Sequence, residues 1–381
     1  MTENKLTIAI CAGEESGDKL AAQLVLELQQ YYPQAQFYGI GGTRMAAAGV
    51  DLLADYQTLA VMGYWDVLTS LPAIFRLRQR FIRYTKIHKP DIFIGVDAPD
   101  FNLPLARRLR QNGSCCLQYV APSVWMWRRQ RLANIAQAVD AVLCLLPFEK
   151  SHFTAAGIDA YFVGHLAAQQ QQVERNSARQ RLGIAEDTEV IALLPGSRRS
   201  ELARHLPLLQ KVVPQLLNAK QNRCCITALA NDTARQQVQQ LLPQVKTATV
   251  EDVLAAADIA LVKSGTMVLE TALAGVPLLV FYRLSAIATW LVRWRKFHLP
   301  FFSLPNILSK RFVTAELLLN EATADNIVRE SERLLNDNSR RYAQQQEFTR
   351  IRNTLAAAEI SAAAAVIAVA EHHKNATNNE N

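Results

Sequence analysis

Leu6-Thr7-Ile8-Ala9-Ile10-Cys11-Ala12-Gly13-Glu14-Glu15-Ser16-Gly17-Asp18 carries a largely apolar run into a short acidic loop, and a helical pattern over 19–31 follows. Strand, tight loop and helix in that order are the repeating unit of a parallel α/β sheet. The loop is not the dinucleotide fingerprint G-x-G-x-x-G, because an acidic pair stands where a pyrophosphate would approach. Carboxylates there repel phosphate and suit sugar hydroxyls. A plainer reading stays open beside it, in which Ser16 and Asp18 cap the helix.

The same unit recurs along the chain. Short apolar runs at 37–40, 91–96, 115–120, 141–146 and 161–163 predict further strands of a first α/β half. A polar stretch over 169–181 reads as a linker or surface helix. Strands then resume at 190–194, 225–229, 259–262 and 278–282. All fifteen glycines fall at or before Gly275 and the last proline is Pro305, so 306–381 predicts a helical tail. The expected domains are 1–165, 166–340 and a C-terminal helical segment 341–381 packing back on the first half. Two α/β halves facing each other imply a cleft, with ligands at the carboxyl ends of the strands.

Besides the acidic loop 13–18, three loops at those ends carry chemistry. Gly95-Val96-Asp97-Ala98-Pro99-Asp100-Phe101-Asn102 sets two carboxylates and an amide at a strand terminus, and Asp97 suits a general base toward a hydroxyl. A plainer role for Asp100 is to cap the helix near Leu103. Pro195-Gly196-Ser197-Arg198 and Ser264-Gly265-Thr266 each follow a strand and open a helix, where backbone N–H groups and the dipole favour an anion. Arg198 adds a planar fork for phosphate oxygens. Glu270, one turn beyond Thr266, can reach ribose hydroxyls, or simply form a surface salt bridge. Neither loop is a P-loop.

Composition excludes other classes. Forty-one Lys and Arg against thirty-four Asp and Glu leave a formal charge of +7, which favours anionic partners without choosing among them. No apolar run reaches the roughly 18 residues of a membrane span, and the N-terminus has no secretory signature. The six cysteines form no C-x-x-C pair and read as buried thiols. The seven histidines form no H-x-x-x-H pattern and no D-x-D is present, so no metal and no cofactor is expected. Two basic–aromatic stretches suit an anionic lipid surface: 74–86, with Phe75, Arg76, Arg80 and Arg83, and 288–302, with Trp290, Arg293, Trp294 and Arg295. On the first, Ile74, Leu77, Phe81 and Phe75 share a broad apolar side. An ordinary core helix with solvated basic residues is the plainer reading of each.

Taken together, these loops resemble one family. Ala12–Asp18, Leu59-Ala60-Val61-Met62-Gly63, Lys89-Pro90-Asp91, 95–102, Tyr119-Val120-Ala121-Pro122-Ser123-Val124-Trp125-Met126-Trp127-Arg128, Leu146-Pro147-Phe148-Glu149-Lys150, Leu194–Arg198, Ser264-Gly265-Thr266 with Glu270, and Ser303-Leu304-Pro305-Asn306 are similar to the lipid-A-disaccharide synthases, in the family's order and over most of the chain. The resemblance implies an α/β GT-B fold of two Rossmann-like domains. It implies an inverting, metal-independent hexosyl transfer from UDP-2,3-diacylglucosamine to 2,3-diacylglucosamine 1-phosphate (lipid X), giving the β-1,6 disaccharide 1-phosphate and UDP. A peripheral protein on the cytoplasmic face of the bacterial inner membrane is expected, with a homodimer admitted and no nucleic-acid partner. Glu14, Asp97, Arg198 and Asn306 match the family's functional positions. Asp97 is expected as base, Arg198 with Ser197 and 264–266 as the diphosphate site, and Glu270 as ribose ligand. Glu14, Asp18 and Asn306 are expected to orient sugar or phosphate groups, and Asp100 and Asn102 to line the substrate site. Two departures stand out: Glu15 where the family usually has Ala, and Leu166-Ala167-Ala168-Gln169 after Gly164-His165 where Pro or an acidic residue is usual. The alternatives are another metal-free GT-B enzyme acting on UDP-N-acetylglucosamine, such as an epimerase, and a non-enzymatic basic module for lipid or nucleic acid.

Overall fold

The computed structural model describes residues 6–60, 67–124, 131–196, 199–229, 232–283 and 300–379. It divides into two compact units, one of Met1–Leu166 with Leu355–Asn381 and one of Ala167–Thr354. The expected boundary at 341 falls inside the helix Asn338–Ala356.

The first unit holds seven parallel strands: β1 (Thr7–Ala12), β2 (Gln36–Gly41), β3 (Asp51–Asp55), β4 (Ile92–Val96), β5 (Cys115–Tyr119), β6 (Ala141–Cys144) and β7 (Asp159–Phe162), in spatial order β3-β2-β1-β4-β5-β6-β7. Period-two alternation loads both faces. Ile8, Ile10 and Ala12 pack with Leu24, Val25 and Leu28 of the helix Glu15–Tyr31. Ala363, Val366 and Val369 of the C-terminal helix Ala362–Asn379 join that layer. Ala9 and Cys11 face the other way, toward Phe81, Phe93, Phe101 and Leu105.

The second unit repeats the plan with β8 (Glu189–Leu194), β9 (Arg223–Ala228), β10 (Lys246–Ala248), β11 (Ile259–Lys263), β12 (Leu278–Tyr282) and β13 (Ala315–Leu318), ordered β10-β9-β8-β11-β12-β13. Ile191 and Leu193 pack on Leu206, Leu209 and Val213 of the helix Arg199–Ala219. The polar stretch over 169–181 contributes the helix Arg175–Leu182, closed by Gly183 in the left-handed conformation. Strand β13 lies in the stretch expected to be wholly helical. Its Ala-Glu-Leu-Leu favours helix by propensity, and pairing along β12 overrides it.

In each sheet the strand order reverses at one place, between β1 and β4 and between β8 and β11. Ligands of open parallel sheets bind outside the carboxyl ends at that reversal. The loops 13–18 and 97–102, and 195–196 and 264–266, leave the sheets there.

All six cysteines are free, and all but the half-buried Cys224 are buried. Among the described residues, no helix is long and apolar enough to cross a membrane. The expected apolar side of 74–86 is spent on the core: Ile74, Leu77 and Phe81 of the helix Val67–Ile87 are buried against the sheet. Phe75 alone of that side is exposed, at 58%, with Arg76, Arg80 and Arg83 also on the surface.

Candidate active site

The first unit's loops are locked to one another by backbone contacts that the sequence disguises. Glu14 is exposed and forms the N-cap of the helix Glu15–Tyr31 with extended backbone and no side-chain capping bond. Asp18, 2% exposed, does not cap that helix. Its Oδ1 accepts the N–H of Gly42 at 2.6 Å and of Met45 at 3.2 Å, and its Oδ2 that of Arg44 at 3.1 Å. It therefore caps the neighbouring helix Thr43–Ala47, where a carboxylate meets the otherwise unpaired N-terminal N–H groups. The glycine loop after β2 is fastened in this way to the acidic loop after β1.

Asp97 and Ala98 follow β4 with φ of 55° and 39°. Left-handed backbone costs a non-glycine residue roughly 1–2 kcal/mol, and two in succession need outside support. Two buried amides supply it. Asn102 Nδ2 donates to the Asp97 carbonyl at 2.9 Å and to Cys11 O at 3.2 Å. Gln118 Nε2 donates to the same Asp97 carbonyl at 3.0 Å, and to Tyr119 O and Val120 O at 3.2 and 3.3 Å. Val120 is itself left-handed, at φ 71°. The other oxygen of the brace, Asn102 Oδ1, is buried without a hydrogen-bond partner. Asn102 was expected to line the substrate site, but at 1% exposure it shapes the turn that presents Asp97. A Cβ on Gly13 would lie 2.3 Å from Ala98 Cβ, so only glycine lets the Glu14 loop pass this closely beside the Asp97 loop. Asp100 is turned outward, 76% exposed at its side chain, and pairs with Arg131. It stands in the first turn of the helix Pro99–Arg110, whose N-cap is Ala98.

The second unit's loops are tied in a similar manner. Gly265 precedes the helix Thr266–Leu273, and Gly265 and Thr266 are exposed while Ser264 and Glu270 are half-buried. Ser264 donates its N–H to Phe281 O at 3.1 Å, fixing the loop to β12. Lys263, just ahead of it, pairs with Glu201 at 2.8 Å, and Glu201 packs under Gly196. His205 is fully buried on Phe281. Its Nδ1 lies 2.8 Å from Pro195 O and its Nε2 accepts the Arg283 N–H at 3.4 Å, which sets the Nδ1–H tautomer. Burial lowers its pKa, opposed by Pro195 O and Glu201 and reinforced by Lys263 and Arg204. Lys263, Glu201, His205 and Gln118 were not singled out from the sequence. The available signals were a lysine abutting Ser264-Gly265-Thr266, and a glutamine inside the fully buried run Cys115–Tyr119.

Asn306 is fully buried in the helix Leu304–Ser309, which packs on the helix Thr266–Leu273. Its Oδ1 accepts the N–H groups of Val313 and Thr314 at 2.8 and 2.9 Å. Its Nδ2 donates to Thr314 O at 3.0 Å and to Glu316 Oε1 at 2.8 Å. Both polar atoms thus organise the 306–316 loop. Ser197 and Arg198 lie outside the described residues, as do Trp290, Arg293, Trp294 and Arg295.

A lipid-A-disaccharide synthetase family model matches residues 8–370. The chain is 39% identical over 380 residues to a lipid-A-disaccharide synthase of Chromobacterium violaceum, covering 97% of this chain and 98% of that one. It is 40% identical over 343 residues to that of Aeromonas hydrophila, covering 87% and 90%. Among solved structures it is similar to a UDP-GlcNAc 2-epimerase from Neisseria meningitidis bound to UDP-GlcNAc, with TM-score 0.62, 12% identity, and 92% and 99% of the two chains covered. The glycotransferase of kitacinnamycin gives 0.59 at 15% identity, covering 92% and 98%. At such identities these two likenesses speak for the fold, which is that of the GT-B enzymes.

Proposed function

This chain belongs to the lipid-A-disaccharide synthase family, and on that premise we propose how its residues divide the reaction. The enzyme transfers 2,3-diacylglucosamine from UDP-2,3-diacylglucosamine to lipid X, yielding the β-1,6 disaccharide 1-phosphate and UDP. The acceptor's 6-hydroxyl oxygen bonds to the anomeric carbon while the bond from that carbon to the diphosphate oxygen breaks. Asp97 takes the hydroxyl proton, and attack from the far face inverts the centre. Glu14, on the loop that runs against Ala98, orients the sugar.

In the second unit, Arg198 and the backbone N–H groups at Ser264-Gly265-Thr266 neutralise the departing diphosphate, with Ser197 beside them and Glu270 on the ribose. The sequence supplies no D-x-D to hold a divalent ion at a nucleotide sugar, and charge is met here by the cation and the helix N-terminus. Lys263 lends further positive charge next to the same loop, shared with Glu201. Asp18, Asn102 and Asn306 act by shaping loops, and Asp100 lies at the rim. The acyl chains and the anionic membrane surface are met by Phe75, Arg76, Arg80 and Arg83 and by the 288–302 stretch, on the cytoplasmic face of the inner membrane.

The observation that carries this reading is the braced left-handed pair Asp97-Ala98 at the strand-order reversal. Strain of that kind persists where the surroundings over-determine it, and it gathers at functional sites. The test separates the two roles. Asp97→Asn keeps shape and removes the proton acceptor, so turnover should fall about 10²–10⁴-fold with UDP affinity unchanged. Arg198→Ala should weaken UDP binding in calorimetry by roughly 1.5–3 kcal/mol per lost charged hydrogen bond. Near-normal turnover of Asp97→Asn would overturn the assignment.

A further inference from the structure

Three side chains of different kinds meet at the amino-terminal ends of the first unit's strands, away from the loops described above. Cys115 opens β5, Asp140 immediately precedes β6, and His373 stands on the helix Ala362–Asn379. One ligand atom from each lies within 4.8 Å of the others. We propose that Cys115, Asp140 and His373 form a binding site for a thiophilic divalent cation such as Zn²⁺, which clasps the C-terminal helix to the sheet.

The donor set is thiol, imidazole and carboxylate, the three groups that zinc takes. The orientation of His373 fits. Its Nε2 lies 3.2 Å from Gly113 O, so that nitrogen donates to a backbone carbonyl, and Nδ1, 3.6 Å from Asp140 Oδ1, is the ring nitrogen turned toward the cluster. A ligating imidazole almost always has such an outer hydrogen bond. Asp140 is held as well. Its Oδ2 accepts the Cys116 N–H at 2.7 Å and its Oδ1 accepts Arg110 Nε at 3.0 Å, and a carboxylate oxygen keeps a second lone pair. Metal–ligand bonds of about 2.0–2.3 Å place tetrahedral donors about 3.5 Å apart, so the cluster draws in by roughly 1 Å. The His373 side chain is 21% exposed, which lets water complete the shell.

Binding exchanges one bond for another: the Cys115 S–H breaks, sulfur bonds to the metal, and the proton leaves to solvent. A thiolate among the donors discriminates against ions that gain little from sulfur, so Mg²⁺ and Ca²⁺ are refused while Zn²⁺ and Co²⁺ enter. A five-residue strand at about 3.3 Å per residue separates this end from the catalytic loops. The cation therefore acts on stability and not on the transfer reaction.

The full-length protein is titrated with Co²⁺. The expected result is one equivalent bound with a thiolate-to-cobalt charge-transfer band, displaced by Zn²⁺. Zn²⁺ should also raise the unfolding temperature while turnover stays within about twofold. The band should vanish in Cys115→Ser and in His373→Gln, the latter at a partly exposed position. It should survive in Cys224→Ser, which removes the most exposed of the other thiols. Absence of the band, or its persistence in His373→Gln, would overturn the proposal.

Discussion

Gln118 Nε2 donates a hydrogen bond to the carbonyl of Asp97 at 3.0 Å, so the residue assigned as base is held by an amide from the adjacent strand. Removing that amide leaves up to three carbonyls short of a donor. Gln118→Leu is expected to lose about 1–3 kcal/mol of stability. It should lower kcat by on the order of 10²-fold, because small misplacements of a catalytic group cost that much. The KM for the UDP-sugar should hardly move. Steady-state kinetics beside denaturant unfolding separate the two effects, and a stability loss with unchanged kcat would deny the brace its positioning role.

Asp18 serves three backbone N–H groups of another helix. Asp18→Ala orphans them in a buried place, and roughly 1–3 kcal/mol should be lost. Calorimetric affinity for UDP should be unchanged. A variant as stable as the wild type would show that the cap contributes nothing.

This pair of residues also shows what the sequence discloses. The Rossmann-like halves were legible because apolar runs and helical patterns alternate, and because glycine and acidic residues stand where strands end. The loops that carry Glu14, Asp97 and Ser264 were legible for the same reason. The partner of Asp18 was not, since Gly42 is 24 positions away and a cap can be served by any nearby chain. Gln118 and His205 were hidden in a different way. Each is a single polar residue in an apolar context, and only the positions of Asp97 O and Pro195 O reveal what it holds. Edge strands such as β13 lack the full burial that gives central strands their apolar signature.

Acid should loosen both units. Burial lowers the pKa of His205, and it lowers that of His165 to about 4 with Lys19 assisting. Below about pH 6.5 the unfolded chain binds protons at these sites that the folded chain refuses, so stability falls as pH drops toward 4. His205→Gln, which can still donate to Pro195 O, should flatten part of that slope. Unfolding temperatures across this range provide the check, and an unchanged slope in the variant would rule out His205 as a contributor.

The proposed membrane contact through Phe75, Arg76, Arg80 and Arg83 predicts salt-sensitive binding to anionic vesicles. Each basic residue near such a surface contributes about 1 kcal/mol. Co-sedimentation should weaken as salt rises and weaken again in Phe75→Ser with Arg80→Ser. Trp290→Ser with Trp294→Ser should act in the same direction. Binding indifferent to salt and to both variants would exclude these surfaces.

The most direct test of the account is mass spectrometry of the lipid product after incubation with UDP-2,3-diacylglucosamine and lipid X, without added metal. The wild-type protein should yield the tetra-acylated disaccharide 1-phosphate and one UDP per turnover, and Asp97→Asn should yield almost none. Turnover of unacylated UDP-N-acetylglucosamine in its place, or equal product from Asp97→Asn, would contradict it.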